Sequence, residues 1–130
     1  MRPHRDKSHL SIAKELQQRG YSVGDTSLAA TVGFPDMPVA KNGKTIVVEI
    51  KQPEGNFSIK QLEFLSTWQG LAGFATTAAD IIAMFETGQG CLTQNEKDRI
   101  AIIALHYRGM SKDKNPRIAV SRFEALMKEI

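Results

Sequence analysis

The chain has little of what several classes of protein require. It contains a single cysteine, Cys91, in 130 residues, which excludes an internal disulfide framework and a zinc cluster built from several cysteines. No apolar run approaches the roughly 20 residues that a transmembrane helix needs. The first residues are basic and lead into no apolar signal-peptide core. We therefore expect a cytoplasmic protein without a membrane partner.

Other absences narrow the chemistry. His4, His9 and His106 lack the spacing of metal ligands, and the sequence contains neither zinc-finger spacing nor a recognisable DNA recognition helix. Cys91 has no candidate base close to it in sequence, which argues against a cysteine hydrolase. The net charge of +3 is compatible with a polyanionic partner, although solubility alone would also explain it.

The most informative stretch is an Asn-Gly pair between two apolar-rich runs. Asn42 and Gly43 predict a two-residue type I′ β-turn, which needs positive φ at both central positions. This turn sets the register of a hairpin in which Asp36 lies opposite Glu49 in a close, non-hydrogen-bonded pair. Lys51 lies on the same face as Glu49, because side chains alternate along a strand. The other face is predicted to point into the core: Met37, Val39, Ile46, Val48 and Ile50.

Two opposed carboxylates on one strand pair need an explanation. Directly opposed like charges destabilise a sheet by about 0.2–1 kcal/mol. A cation bound between Asp36 and Glu49 would remove this repulsion. Carboxylate oxygens are ligands that Mg²⁺ prefers, together with water and substrate phosphates. The pattern predicts a metal site with the Lys51 amine beside it. The alternative is a solvated strand face on which Lys51 itself partly relieves the repulsion.

A family resemblance follows from these residues. Pro35-Asp36, a dozen intervening residues and then Glu49-Ile50-Lys51 resemble the signature of the PD-(D/E)XK nuclease superfamily. The fuller pattern adds Gly33 before it and Ser58-x-x-Gln61-x-x-Phe64 after it. That pattern resembles the VRR-Nuc branch, which is found in bacteriophages and DNA-repair nucleases and is similar to small Holliday-junction resolvases. The resemblance covers roughly residues 8 to 85.

The resemblance implies a fold. It predicts an α/β (α+β) protein with a restriction-endonuclease-like core, in which a mixed sheet of order αβββαβ is flanked by helices. Two C-terminal helices lie outside the resemblance and either finish the core or provide a dimer surface. We expect a flexible basic tail over residues 1–7 and a single nuclease domain over 8–130. Within that domain the core would span 8–87 and the helical extension 92–130.

The resemblance also implies an activity, a metal-dependent DNA endonuclease. In this interpretation Asp36, Glu49 and the carbonyl of Ile50 hold Mg²⁺ or Mn²⁺, and no small-molecule cofactor is needed beyond the metal. Lys51 would position or help deprotonate the attacking water, or neutralise the phosphorane-like transition state. Gln61 would point from its helix toward the metal-bound water or the phosphate. The alternative for Gln61 is that its amide only caps the start of that helix.

The expected substrate is branched DNA. The resemblance implies structure-selective rather than sequence-specific cutting, carried out by a homodimer. Phosphate contacts are expected from Lys41, Lys44, Lys60 and Ser58, on the same face as the carboxylates or around its turn. The N-terminus of the helix that carries Lys60 favours phosphate as well, because its free N–H groups and dipole attract anions.

One departure from the family pattern leaves rival functions open. The family usually carries a glutamate near the start of its first helix that joins the metal site. The nearest positions here hold Ser8, His9 and Leu10, and Asp6 and Glu15 are misplaced by a turn, so that ligand is absent or displaced. The rivals are a nucleic-acid-binding module that keeps the fold without cutting, and an interaction protein whose hairpin is merely solvated.

The remaining pattern predicts the other elements. The first helix spans 8–19, with Leu10, Ala13 and either Leu16 or Gln17 as its thin apolar stripe, and the first strand falls within 21–32. Pro38 should interrupt the ladder on the outer side of the hairpin, because it lacks an N–H group. Further elements are a helix from Ser58 to about 69, a strand over 73–76, helices capped by Thr77 and Thr93, and a last helix beginning at Asn115-Pro116.

Overall fold

The computed structural model describes residues 7–24 and 35–129, in which helices and strands alternate along the chain. The remaining residues, among them Gly33 and most of the expected first strand, lie outside the described part. The elements in chain order are α1 (Lys7–Gln18), β1 (Ser22–Val23), β2 (Met37–Lys41), β3 (Lys44–Ile50), β4 (Asn56–Ser58), α2 (Ile59–Thr67), β5 (Leu71–Ala75), α3 (Ala78–Thr87), α4 (Gln94–Met110), β6 (Arg117–Ala119) and α5 (Val120–Glu129).

The main sheet is mixed and has the strand order β1-β2-β3-β5. The first three strands pair antiparallel, and β5 runs parallel to β3. Helices cover both faces of this sheet, as expected for a mixed α/β arrangement. The short strands β4 and β6 form a second, two-stranded antiparallel sheet that the sequence did not predict.

The hairpin has the predicted turn and register. Asn42 and Gly43 have φ values of 53° and 79°, as a type I′ turn requires. The five pairs of the ladder run from Lys41 opposite Lys44 to Met37 opposite Val48, and the predicted apolar face is buried. On the outer side the described part of the β1–β2 ladder has two pairs, and beyond them the Gly24 N–H donates to the Pro38 carbonyl at 2.9 Å. The residues that follow Gly24 lie outside the described part, so the interruption expected at Pro38 stays a prediction.

Two apolar cores lie on the two sides of the sheet. On one side α1 and α3 cover the hairpin face through Leu16, Ile81 and Met84. On the other side α2 packs on the sheet, and the C-terminal elements pack on α2. That second core joins Ile59 and Leu62 of α2 with residues of α4, β6 and α5. The C-terminal helices therefore complete a core, which was one of the two roles expected for them.

Two details of the sequence prediction are wrong. Leu10 does not belong to the apolar stripe of α1, because it is 60% exposed while Ile12 is buried in its place. The last helix does not begin at Asn115-Pro116. Pro116 instead accepts a hydrogen bond from the Ile59 N–H, and the residues after it pair with β4 before α5 begins. Long-range strand pairing thus overrides a local helix-start signal.

No helix within the described ranges is long and apolar enough to cross a membrane.

Candidate functional site

A buried carboxylate lies near the carboxyl end of β3. Glu49 is only 2% exposed. Its Oε1 accepts a hydrogen bond from Gln61 Nε2 at 2.8 Å. Its Oε2 is also buried, and within residues 7–24 and 35–129 it has no hydrogen-bond partner. A buried acceptor of this kind is costly unless a proton or a cation reaches it.

The second carboxylate approaches from the other strand of the hairpin. Asp36 directly precedes β2, and its Oδ2 accepts a hydrogen bond from the Ile50 N–H at 2.9 Å. The carbonyl of Ile50 points to the same edge of β3, because the N–H and C=O groups of one residue in a strand face the same side. Asp36, Glu49 and the Ile50 carbonyl, the three predicted metal ligands, therefore occupy one end of the hairpin.

The electrostatics of Glu49 reflect this crowding. Burial raises the pKa of Glu49 well above its ordinary range. The neighbouring Asp36 charge raises the pKa of Glu49 further, and so does the proton that a neutral Glu49 shares with the Asp36 side chain. An interaction with the Asp36 backbone lowers this pKa. When both carboxylates are ionised, neither can donate to the other. The site consequently favours a proton or a cation between the two groups.

Gln61 caps α2, which is one of the two roles that the sequence left as alternatives, and its side chain also contacts Glu49. Ser58 caps α2, and the Gln61 N–H donates to Ser58 Oγ at 3.1 Å. The Ser58 N–H in turn donates to Gln61 Oε1 at 2.9 Å, which completes a capping box. Because the cap uses only the oxygen of the side-chain amide, Nε2 remains directed at Glu49. The cap thereby orients the amide that holds the buried carboxylate.

Lys51 pairs with a carboxylate of the C-terminal helix. Its Nζ lies 3.2 Å from Glu124 Oε2 of α5 and 5.8 Å from the centre of the Phe74 ring. The amine faces a cleft of about 390 Å³ that also has Arg99 and Lys128 in its wall. Glu124 belongs to the C-terminal extension, and no sequence signal linked it to Lys51.

The lysines of the turn are not beside the carboxylates. Lys41 Nζ lies 4.4 Å from the Tyr21 ring centre, and Lys44 Nζ lies 6.0 Å from that of Phe85. Both aromatic rings pack on the α1/α3 side of the sheet. Five residues of strand separate the turn from Asp36, roughly 17 Å at 3.3–3.4 Å per residue. Lys41 and Lys44 thus lie at the turn, which is one of the two places expected for them from the sequence, and their contact with DNA phosphates stays a prediction.

Lys60 and Ser58 lie at the start of α2, close in sequence to Gln61. Lys60 is half-buried and lines a shallow surface pocket together with Glu63 and Arg108. Arg108 pairs with Glu63 at 2.6 Å. Of the predicted phosphate-contacting residues, these two lie at the start of α2, the helix whose Gln61 contacts Glu49.

The structure adds a residue that the sequence interpretation set aside. His9 lies in the first turns of α1, and its Nε2 is 3.8 Å from Asp36 Oδ2. The side chains of both residues are mostly buried, at 16% and 21% exposure. His9 occupies the region where the family pattern has its first-helix glutamate. His9 was not predicted from the sequence, because the histidines lack the spacing of metal ligands. Its partner Asp36 is distant in sequence, so no short motif links the two residues.

Comparison with known proteins adds no assignment. No protein-family model matches this chain, and no curated protein matches it either.

The ligands that could hold an ion are therefore judged on geometry alone. Within the described ranges, no group of three or more His, Cys, Asp and Glu residues is placed so that it could hold a metal ion. The Asp36 and Glu49 carboxylates with the Ile50 carbonyl supply hard oxygen donors, which suit a small divalent cation that retains several water ligands. The unpartnered Glu49 Oε2 fits this purpose.

Cys91 offers no competing chemistry. Burial raises the pKa of its thiol, and the nearby Lys44 charge only partly opposes this. Since the thiolate is the nucleophilic form, a raised pKa makes Cys91 a poor nucleophile.

Proposed function

We propose that this protein is a divalent-metal-dependent DNA endonuclease of the PD-(D/E)XK type, similar to the VRR-Nuc branch, with a restriction-endonuclease-like core. The observation that carries the proposal is the buried Glu49 Oε2, which has no hydrogen-bond partner in the described part of the chain and shares its surroundings with Asp36. Burial and the neighbouring Asp36 raise the pKa of Glu49. A carboxylate perturbed in this way is typical of a functional site rather than of a solvated strand.

The residues around the pair have separate roles in this proposal. Asp36, Glu49 and the Ile50 carbonyl would bind Mg²⁺ or Mn²⁺, which supplies a water of lowered pKa and offsets charge on the scissile phosphate. Gln61 fixes the orientation of the Glu49 carboxylate through its Nε2 donor. The Ile50 N–H does the same for Asp36. Both ligands are thus held before substrate arrives, which favours catalysis because no reorganisation is needed.

Lys51 would act on the phosphate or on the attacking water. Its amine pairs with Glu124, at side-chain exposures of 23% and 49%. Breaking an ion pair this exposed costs only about 0–1 kcal/mol. The long side chain can therefore leave Glu124 for a DNA phosphodiester that enters the site.

The DNA would be recognised by its backbone and shape. Lys60 and Ser58 at the start of α2 are the expected phosphate contacts nearest to Gln61, whereas Lys41 and Lys44 at the far end of the hairpin could only touch more distant phosphates. We propose branched DNA as the preferred substrate and a homodimer as the active assembly, since two symmetric cuts need two sites.

A second candidate is a module of the same fold that binds nucleic acid without cutting it. The Lys51–Glu124 ion pair favours this candidate, because it engages the amine that cleavage would require. The two candidates share the binding surface and differ only in whether the phosphodiester bond is broken.

A cleavage panel separates them. The full chain is incubated with Mg²⁺ or Mn²⁺ and with four-way, flap, single-stranded and linear DNA, beside Lys51→Met, Asp36→Asn and the exposed loop variant Lys112→Met. We expect cutting of branched DNA by the wild type and Lys112→Met. Lys51→Met should bind metal, as measured by isothermal titration, without cutting, and Asp36→Asn should lose both. A fully active Asp36→Asn protein would refute the site, and DNA binding without any cleavage would favour the second candidate.

A further inference from the structure

His9 lies within ion-bridging distance of Asp36. The 3.8 Å between its Nε2 and Asp36 Oδ2 is longer than a hydrogen bond, which is about 2.7–3.2 Å for a nitrogen donor. Two atoms that bind one ion at about 2.0–2.2 Å each can be separated by at most about 4.3 Å. The observed separation falls inside this limit, so both side chains can reach a common ion.

The packing of α1 brings His9 to this position. Ile12 and Leu16 are buried at 7% and 0% exposure and fasten the helix to the sheet. His9 precedes them by three and seven residues, the spacing that places side chains on the same face of a helix. The exposed neighbour Leu10 is on another side. The stripe that anchors α1 therefore continues into His9 at the end that meets Asp36.

An imidazole changes the preference of an oxygen-rich site. Carboxylates, carbonyls and water suit Mg²⁺ and Mn²⁺ alike, whereas imidazole nitrogen binds transition-metal ions better than it binds Mg²⁺. Since no three such residues in the described part of the chain are placed to hold an ion, ion binding would require the side chain of His9 or Asp36 to rotate.

We propose that His9 is a direct ligand of the divalent ion held by Asp36 and Glu49, and that its imidazole makes the site select Mn²⁺ over Mg²⁺. This inference rests on the proposed function, because it assumes that the carboxylate pair binds an ion. It goes beyond that function by naming a third protein ligand and by predicting which ion the site prefers.

The test uses the full metal-free chain with Mn²⁺ as the probe. Pulsed electron paramagnetic resonance should detect coupling between bound Mn²⁺ and an imidazole nitrogen. His9→Glu should remove the nitrogen coupling and keep an ion bound, with a Mn²⁺-to-Mg²⁺ affinity ratio lowered about tenfold in isothermal titration. His9→Ala should weaken Mn²⁺ binding by about tenfold or more. The matched control, His106→Ala, changes an exposed histidine of α4 and should alter neither quantity.

Each outcome decides between the two proposals. Nitrogen coupling that disappears in His9→Glu and persists in His106→Ala supports both. Mn²⁺ binding that is lost in Asp36→Asn but never shows nitrogen coupling overturns the role of His9 and leaves the carboxylate site intact. No Mn²⁺ binding by the wild type overturns both. The nitrogen coupling is measured first on the wild type, so the test does not depend on whether His9→Ala folds.

Discussion

Replacing Glu49 by glutamine should make the metal-free protein more stable while it abolishes ion binding. The buried Oε2 has no hydrogen-bond partner in the described residues, and a buried unsatisfied polar group costs about 1–3 kcal/mol. The introduced amide keeps an oxygen for Gln61 Nε2 and offers an N–H group to Asp36. We therefore expect the free energy of unfolding to rise by about 1–3 kcal/mol near neutral pH. For a chain of this length that corresponds to about 3–12 °C in Tm.

The gain should depend on pH in a defined direction. Burial and Asp36 raise the pKa of Glu49 in the folded state above its ordinary value of 4.5. The folded protein then binds this proton more tightly than the unfolded chain, so Glu49 lowers the stability of the wild type as pH rises from 4.5 through the raised pKa. Glutamine does not titrate. The advantage of Glu49→Gln should be smallest near the acid end of this window and largest above it.

Urea unfolding followed by the fluorescence of Trp68 measures these differences, with a chelator and then with Mn²⁺. Mn²⁺ at a hundredfold excess over its Kd should stabilise the wild type by about 2.7 kcal/mol and leave Glu49→Gln unchanged. Glu86→Gln, which alters an exposed carboxylate of α3, serves as the control for loss of a negative charge. The reasoning is refuted if, without metal and at a pH above the raised pKa of Glu49, Glu49→Gln is less stable than the wild type. It is also refuted if Mn²⁺ stabilises both proteins equally.

Three further predictions concern the scaffold, each measured as a change in the free energy of unfolding. Ser58→Ala should cost about 1 kcal/mol through loss of the α2 cap, and a measured cost near zero would contradict the capping box. Gly73→Ala should be destabilising, because its methyl group would meet a backbone carbonyl oxygen at 2.8 Å, whereas Gly109→Ala in α4 has open space and should gain about 0.5–1 kcal/mol. Lys97→Met should cost about 1–3 kcal/mol, since the buried amine donates to two backbone carbonyls after α2; the exposed Lys112→Met should be neutral, and equal effects would refute this role.

The parts of the fold that could be predicted are those set by neighbouring residues. The Asn42-Gly43 turn depends on two adjacent φ angles, and from it the register of the hairpin followed without any knowledge of the rest of the chain. The caps at Ser58, Thr77 and Thr93 likewise depend on residues three positions apart. These signals are reliable because the hydrogen bonds that create them form within a single turn.

The errors occur where a distant segment competes with a local signal. Asn115-Pro116 has the local pattern of a helix start, yet the chain gains more by pairing the next residues with β4. Leu10 has the spacing of an apolar stripe, but the orientation of α1 on the sheet buries Ile12 instead. Neither outcome can be read from spacing alone, since each depends on which surface the segment packs against.

The sequence by itself determined that Asp36 and Glu49 face each other across the hairpin, because a tight turn and the alternation of side chains leave no other pairing. Only the tertiary structure decided what surrounds them. His9 reaches Asp36 from α1, Gln61 reaches Glu49 from α2, and Glu124 takes Lys51 from α5. These contacts depend on how three helices pack against one sheet, and packing is decided by the burial of whole apolar faces rather than by any short motif.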